Sequence, residues 1–251
     1  MWWWRDSLTG GGGSTIDVGF TDNRDGVSTG PVASLNLGGR VGDDADNVMR
    51  NRMTVAKSIG VSDDDLVFMH QSHSDRVLSV DGIETREPDG DGVVTAQRGV
   101  ALAVLVADCT PVLLADPDAG VVGAVHAGRP GMMNRIVDRA LDRMTEHGAA
   151  NPVAIVGPSV CPRCYEVPLE LREQAAEVSP ESRSVSWTGT PAIDVAGGVV
   201  AQLHARGVPT TWVPGCTRES DRLFSYRRDK QSGRFAGVIA VRAANASTPR
   251  D

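Results

Sequence analysis

The chain is poor in the side chains that carry most enzyme chemistry. It has four cysteines and five histidines in 251 residues. Four thiols do not form the dense disulfide framework of a small secreted domain, so they are expected to be free thiols or metal ligands. Nowhere do about 18 apolar residues run together, which excludes a conventional membrane-spanning helix. The opening MWWWRDSLTGGGG lacks an apolar stretch of signal-peptide length and a small-residue cleavage site, so a cytoplasmic location is expected. Basic excess is also missing. A formal charge of −7 and a pI of about 5.2 disfavour a non-specific nucleic-acid binder. They leave room for small anionic substrates bound on local positive patches.

What is present is ordinary for a globular protein: 41% hydrophobic and 23% charged residues. The length suits one large domain or two small ones. No internal repeat is evident. TGGGGS at 9–14 reads as a flexible joint or a tight loop; residues 1–14 are taken as a flexible N-terminal segment and AANASTPRD marks 244–251 as a tail, leaving 15–243 as the domain. STIDVGFT reads as a strand. The spacing predicts a helix over 44–59, capped by Asp43 or Asp44 and ended by Gly60. DLVFMHQSHSDRVLSV reads as two strands around a polar turn, and PDGDG as a loop. Near-continuous apolar runs at 100–106 and 120–125, with 111–114 between them, read as strands covered on both faces. One helical face carries Met133, Ile136, Val137, Ala140, Leu141 and Met144. A strand VAIVG, a helix in PLELREQAAEV, a helix capped by Asp194, and strands TTWV and RFAGVIAV complete the reading. Strands and helices mix without a regular alternation. The expected fold is α/β (α+β), a single domain with mixed β-sheets flanked by helices.

Two of the apolar runs end in reactive side chains: ALAVLVA leads into Asp108 and Cys109, and GVVGAV leads into His126. Buried cysteine is usually a small hydrophobe, and a histidine at a strand end is usually structural. A turn at 117–120 that pairs the flanking strands would nevertheless bring Cys109 and His126 together. In MHQSHSDRV, His73 sits in the polar turn, whereas His70 follows an apolar run and reads as a core histidine. Two imidazoles and a thiolate make a catalytic zinc site with an open fourth position for water. Asp108 or Asp75 is a candidate to orient an imidazole from behind. The same trio fits a copper centre with Met69, Met132 or Met133 as axial ligand. Five histidines do not furnish a full laccase's additional cluster. A third alternative makes Cys109 a nucleophile with His126 as its base. A fourth closes the metal site with Asp108 and makes it non-catalytic.

Other candidates are less pointed. CPRC at 161–164 is half of a zinc ribbon or a redox pair, or simply two loop thiols, since the remaining cysteines are isolated in sequence. FSYRRDKQSGRF groups Arg227, Arg228, Lys230 and Arg234, which suits either a phosphate site or a solvated hairpin tip. Asn36 and Arg52, polar residues among apolar anchors, are candidate substrate contacts.

Five blocks in order carry a resemblance: GVSTGPVASLNLG, HQSHSDRV, the central ALAVLVADCTPVLLADP…GVVGAVHAG, GPSVCPRCYEV, and CT…FSYRRDKQSGR. Together they resemble the laccase-domain family, also described as polyphenol oxidase, purine nucleoside phosphorylase and peptidoglycan editing factor. The resemblance implies zinc ligands at His73, Cys109 and His126. It also implies phosphorolysis of adenosine, inosine and methylthioadenosine, with adenosine deamination as a second activity. Partners would then be nucleoside and phosphate; copper, and the editing of a peptidoglycan precursor, are the alternatives. The family's usual HAGWRG reads HAGRPGM here, with Arg129 and Pro130 in place of tryptophan and arginine. Oligomeric state is not indicated.

Overall fold

The computed structural model describes residues 1–80 and 87–242; the expected tail at 244–251 lies outside them. In chain order the elements are β1 (Trp2–Thr9), β2 (Thr15–Thr21), α1 (Ala45–Ile59), β3 (Leu66–Val67), β4 (Val77–Ser79), β5 (Gly92–Thr95) and β6 (Ala101–Val106). Then come β7 (Thr110–Asp116), β8 (Val121–Ala127), α2 (Arg129–Met133), α3 (Ile136–Glu146), β9 (Val153–Val156) and α4 (Leu169–Val178). The last are β10 (Arg183–Val185), β11 (Pro191–Ile193), α5 (Val195–Ala205), β12 (Thr210–Trp212), α6 (Tyr226–Asp229) and β13 (Phe235–Val241). A five-stranded sheet has the order β1-β2-β13-β6-β3, and a six-stranded sheet has the order β12-β9-β7-β8-β5-β4. Both are mixed: β3 runs parallel to β6, β4 to β5 and β12 to β9, while the other pairs are antiparallel. β10 and β11 form a separate ribbon.

Alternation along the strands explains the layering. On β6 and β7, Leu102, Val104, Leu113 and Ala115 point between the two sheets, where they meet Ile16, Val18, Phe20, Val122, Ala124 and Ile239. The intervening residues face outward. Ala101, Ala103, Ala236 and Ala240 meet α1, small side chains that let the helix lie close to the sheet. Val112, Leu114, Val121 and Val125 meet Ile136, Val137, Ala140, Leu141 and Met144 of α3. The order helix–sheet–sheet–helix covers each sheet on both faces, so its strands lack polar alternation. The fold expected from sequence is therefore the one found.

Local chemistry follows the same logic. The Asp44 carboxylate accepts the Asp46 and Asn47 amides at the start of α1, and Gly60 ends the helix with φ 83°. The buried face is Val48, Asn51, Val55, Ala56 and Ile59, whereas Met49 and Met53 are exposed. The helix anticipated from 133 is broken at Arg135, whose φ of 57° separates α2 from α3. Residues 66–67 and 77–79 belong to different sheets, so they do not form a hairpin. Among the described residues no helix is long and apolar enough to cross a membrane.

The segment 1–14 needs correction. It is not a flexible lead: Trp2–Thr9 pair antiparallel with β2 in a register that runs to Thr9↔Thr15. The glycines form only the hairpin tip, with Gly13 at φ 79°. Trp3 and Trp4 pack on the inter-sheet core, and the Trp3 indole donates to the Pro214 carbonyl at 3.0 Å.

Phe20 ties the two sheets together. Its ring lies against Gly237 of its own sheet and Gly157 beyond β9 of the other; a Cβ on Gly157 would stand 2.4 Å from the ring. Phe20→Ala is expected to cost about 3–5 kcal/mol, read as a lowered urea midpoint. Gly157→Ala is expected to destabilise as well, because the ring has no room to retreat in a close-packed interior. A midpoint unchanged in both variants would show that the sheets do not depend on this contact.

Candidate metal centre

The site forms where the chain passes from one sheet to the other. β6 ends in the five-stranded sheet and β7 begins in the six-stranded one, so residues 107–109 make the crossing. Asp108 adopts φ 96° there. That conformation is unfavourable for a side chain with a Cβ, and the carboxylate holds it: Asp108 accepts from the Thr217 hydroxyl at 2.7 Å, the Ser225 hydroxyl at 2.6 Å and the Arg227 amide at 2.7 Å. Cys109 then stands two and four residues from positions whose alternation faces the inter-sheet core, and it packs there.

His126 is the penultimate residue of β8 and shares its inward parity with Val122 and Ala124. It pairs with Pro111 across the ladder, next to Cys109. On its other side, Gly92 pairs with Val125. The same register sets Asp91 beside His126, whose amide donates to the Asp91 carbonyl at 2.7 Å.

The Asp91 carboxylate is fully buried and meets His126 Nδ1 at 2.7 Å. It also accepts the amides of Ser72 (3.1 Å), His73 (3.0 Å) and Ser74 (2.7 Å), and the Ser74 hydroxyl at 2.7 Å. These bonds hold His73 at φ 62°, a strain of about 1–3 kcal/mol for a non-glycine residue. One carboxylate thus places both histidines.

The three side chains converge. His73 Nε2 lies 3.6 Å from Cys109 Sγ, and the two imidazoles meet edge-on with centroids 4.8 Å apart. One ligand atom from each of the three falls within 4.8 Å of the others. Gly128 closes the back: a Cβ there would stand 2.8 Å from the His73 ring and 3.1 Å from Cys109 Sγ. His126 is buried, Cys109 half-buried and His73 exposed.

Electrostatics favour a charged pair. Burial by itself would raise the Cys109 thiol, but the His126 and His73 imidazoles outweigh it and bring it down to about 6. Burial would lower His126, but the Cys109 thiolate and the Asp91 carboxylate raise it to about 9. Burial likewise opposes ionisation of Asp91, yet bonds from His126 and Ser74 hold it well below the ordinary carboxylate range. At neutral pH the metal-free site therefore holds a thiolate and an imidazolium. Two imidazoles and a thiolate are the N/S donors zinc takes, with one position left open. Asp91 on His126 Nδ1 leaves Nε2 as the ligating nitrogen. The donor set fits the ion.

A cavity of about 1050 Å³ opens above the trio. Met49, Met53, Phe68 and Leu105 are among its apolar lining residues, Arg227, Lys230 and Arg234 among its cationic ones, and Tyr165 lines it too. Arg52 also lines the cavity: its guanidinium lies 3.9 Å over the Phe68 ring and donates to the Leu37 carbonyl and Glu87. Asn36 is not. It is fully buried, and its amide is engaged with Gly38, Asp43 and the Arg234 amide, so it braces a loop and cannot reach substrate.

Further expectations are revised. Asp75 pairs with Arg139 at 2.8 Å, and Asp108 with the hydroxyls above, so neither orients an imidazole. Asp91 does, and it sat unnoticed in PDGDG because only the register between β5 and β8 reveals it. His70, read as a core histidine, is partly exposed and paired with Asp89. The basic stretch is not a hairpin. It forms the short α6, with Arg228 bonded to the Thr217, Ser220 and Leu223 carbonyls. Met132 lies against Gly198 of α5, and Met133 accepts from Arg129, so neither is an axial ligand candidate, whereas Met69 lines the same cavity as the trio.

Asp91→Asn is expected to weaken zinc binding by about 10–100-fold, measured by competition with a chromophoric chelator. An unchanged affinity would remove Asp91 from the site's support. Zinc must displace the His126 proton but finds Cys109 already ionised. Affinity should then rise about tenfold per pH unit between 6 and 9, with about one proton released, as calorimetry in buffers of different ionisation enthalpy reads directly.

Residues 17–242 match the family described as multi-copper polyphenol oxidoreductase laccase. A purine nucleoside phosphorylase of Streptomyces coelicolor is 50% identical over 240 residues, covering 94% of this chain and 97% of that one. One from Deinococcus radiodurans is 40% identical, covering 88% of each. The crystal structure of YlmD from Geobacillus stearothermophilus superposes with a TM-score of 0.83 at 31% identity, over 91% of this chain and 92% of that one. A Neisseria meningitidis protein superposes with a TM-score of 0.83 at 28% identity, over 95% and 99%. The chain belongs to the multi-copper polyphenol oxidoreductase laccase family, whose relatives at high identity bear the name purine nucleoside phosphorylase.

Proposed function

We propose that this chain is a zinc-dependent purine nucleoside phosphorylase acting on adenosine, inosine and methylthioadenosine, with adenosine deamination as a second activity. The carrying observation is the His73–Cys109–His126 cluster at a cavity lined by both apolar-aromatic and cationic side chains. The names of the Streptomyces and Deinococcus relatives support it.

In phosphorolysis a phosphate oxygen bonds to C1′ of the ribose as the C1′–N9 bond breaks. The electron pair leaves with the purine, and ribose 1-phosphate forms. Arg227, Lys230 and Arg234 hold the phosphate's negative charge near that carbon. Met49, Met53 and Leu105 bury the purine face and exclude water from it. Tyr165 lines the cavity with Arg227 stacked on it at 4.5 Å. His73, Cys109 and His126 would hold the zinc ion, which supplies Lewis-acid chemistry: activation of water and stabilisation of developing negative charge. In deamination, water adds to C6 and ammonia leaves, giving inosine. Asp91 keeps His126 in one tautomer throughout.

The copper alternative has less to draw on. His70 pairs with Asp89, His147 with Ser79, and His204 lies exposed on α5, so no histidines remain for a further copper cluster. A cysteine hydrolase acting on a peptidoglycan precursor has one supporting observation, the line Asp91–His126–Cys109 with a lowered thiol and a raised imidazole. Alkylation separates the two roles. A ligand thiol resists iodoacetamide until zinc is stripped, whereas a nucleophile is labelled in the zinc-loaded enzyme.

With adenosine, the zinc-loaded protein is expected to release adenine and ribose 1-phosphate only when phosphate is present, and inosine without it. Cys109→Ser and His126→Ala should lose both activities by at least about 100-fold. Arg227→Ala/Lys230→Ala should raise KM for phosphate and leave deamination intact. Adenine released equally with and without phosphate would end the phosphorylase reading.

A further inference from the structure

The CPRC pair gains two partners in the fold. Cys161 and Cys164 flank a single 3-10 turn, in which the Cys164 amide donates to the Cys161 carbonyl at 2.9 Å. The loop after β12 runs beside it. The Ser159 amide donates to the Gly215 carbonyl at 3.3 Å, and the Thr217 amide to the Ser159 carbonyl at 3.1 Å. That bridge carries Cys216 to the pair from 52 positions beyond Cys164 in the sequence. Glu219 completes the group, and one ligand atom from each of Cys161, Cys164, Cys216 and Glu219 lies within 4.8 Å of the others.

Two further contacts suit a cation among these groups. The Cys161 amide donates to Cys216 Sγ at 3.4 Å, a bond that favours sulfur carrying negative charge. Glu219 Oε1 is held toward Cys164 Sγ at 3.3 Å and is fixed from behind by the Trp187 indole N–H at 3.2 Å. Arg163 in turn stacks on Trp187 at 4.3 Å. Three sulfurs and an oriented carboxylate oxygen, all within 4.8 Å of one another, make a donor set that a thiophilic dication takes. A dithiol redox centre would not account for the third sulfur or the oriented carboxylate.

We propose that Cys161, Cys164, Cys216 and Glu219 bind a second zinc ion, structural in role and separate from the His73–Cys109–His126 centre. Four protein ligands leave no open position, as structural zinc requires. The ion joins two loops that brace the cavity. Tyr165, next to Cys164, lines it, and Thr217, next to Cys216, anchors the Asp108 carboxylate beside Cys109.

The test uses Cys109→Ser, whose remaining thiols are the three in question. Loaded with cobalt(II), it is expected to show a near-ultraviolet sulfur-to-cobalt charge-transfer band and to retain about one metal equivalent through these thiolates. The band should vanish in Cys109→Ser/Cys164→Ser/Cys216→Ser. No band in Cys109→Ser would overturn the proposal. Should the triple variant not fold, the unaltered chain decides. Zinc-loaded protein is alkylated and the labelled peptides are mapped by mass. Protection of Cys161, Cys164 and Cys216 that is lost with chelator supports the site; native labelling at all three, or a Cys161–Cys164 disulfide, refutes it. None of these readouts involves nucleoside turnover, so the result stands whether or not the phosphorylase reading does.

Discussion

A buried carboxylate needs donors, and Asp91 finds them in three amides, one hydroxyl and one imidazole. Leaving such a group unpaired in the interior would cost several kcal/mol. The backbone of 72–74 wraps around it for that reason, and in doing so carries His73 into a conformation it would not adopt freely. The same carboxylate fixes His126 through Nδ1. Remove the negative charge and both histidines lose the contact that orients them, while Cys109 is held independently by the Asp108 bonds at the sheet crossing. The site is thus two rigid supports converging, one carboxylate for the imidazoles and one for the thiol.

The layered architecture makes this convergence possible. Each sheet is covered on both faces, one by its partner sheet and the other by helices. Polar groups are tolerated only at strand ends, where the sheets diverge. Cys109 lies at such an end, and His126 at the neighbouring one. The cavity opens outward from there, between α1 on one side and the 226–234 segment on the other. Side chains from distant parts of the chain thereby supply its apolar lining, from Met49, Met53 and Phe68, and its cationic lining, from Arg227, Lys230 and Arg234.

The family's description speaks of copper, and the trio by itself does not contradict it, since two imidazoles and a thiolate serve either metal. What distinguishes the readings lies outside the trio. The remaining histidines are tied to Asp89 and Ser79 or exposed on α5; of the three methionines only Met69 lines the cavity, while Met132 and Met133 pack elsewhere. The surroundings resemble a substrate chamber more than an electron-transfer centre. Arg129 and Pro130, unusual after HAG, open α2; the proline occupies the first helical turn, where its missing N–H is not needed.

Local signals were enough for the strands 100–106 and 120–125, the helix with Asp44 and Gly60 at its ends, and the pairing of Cys109 with His126 through the 117–120 turn. Each depends on neighbours within one element or one hairpin, where periodicity and turn chemistry are written in adjacent residues. His73 was reached from its polar turn and from the family resemblance. The same local signals misplaced Asn36 as a substrate contact, read Trp2–Thr9 as flexible because of the glycines that follow, and left Cys216 isolated. Asp91, the strand pairing of the first residues, the cationic lining and the meeting of Cys216 with Cys161 and Cys164 all depend on register between strands remote in sequence. Register is set by how whole sheets bury their side chains against one another. The sequence therefore determined which residue types were available and which elements they form, and the tertiary packing alone decided which buried acid meets which histidine.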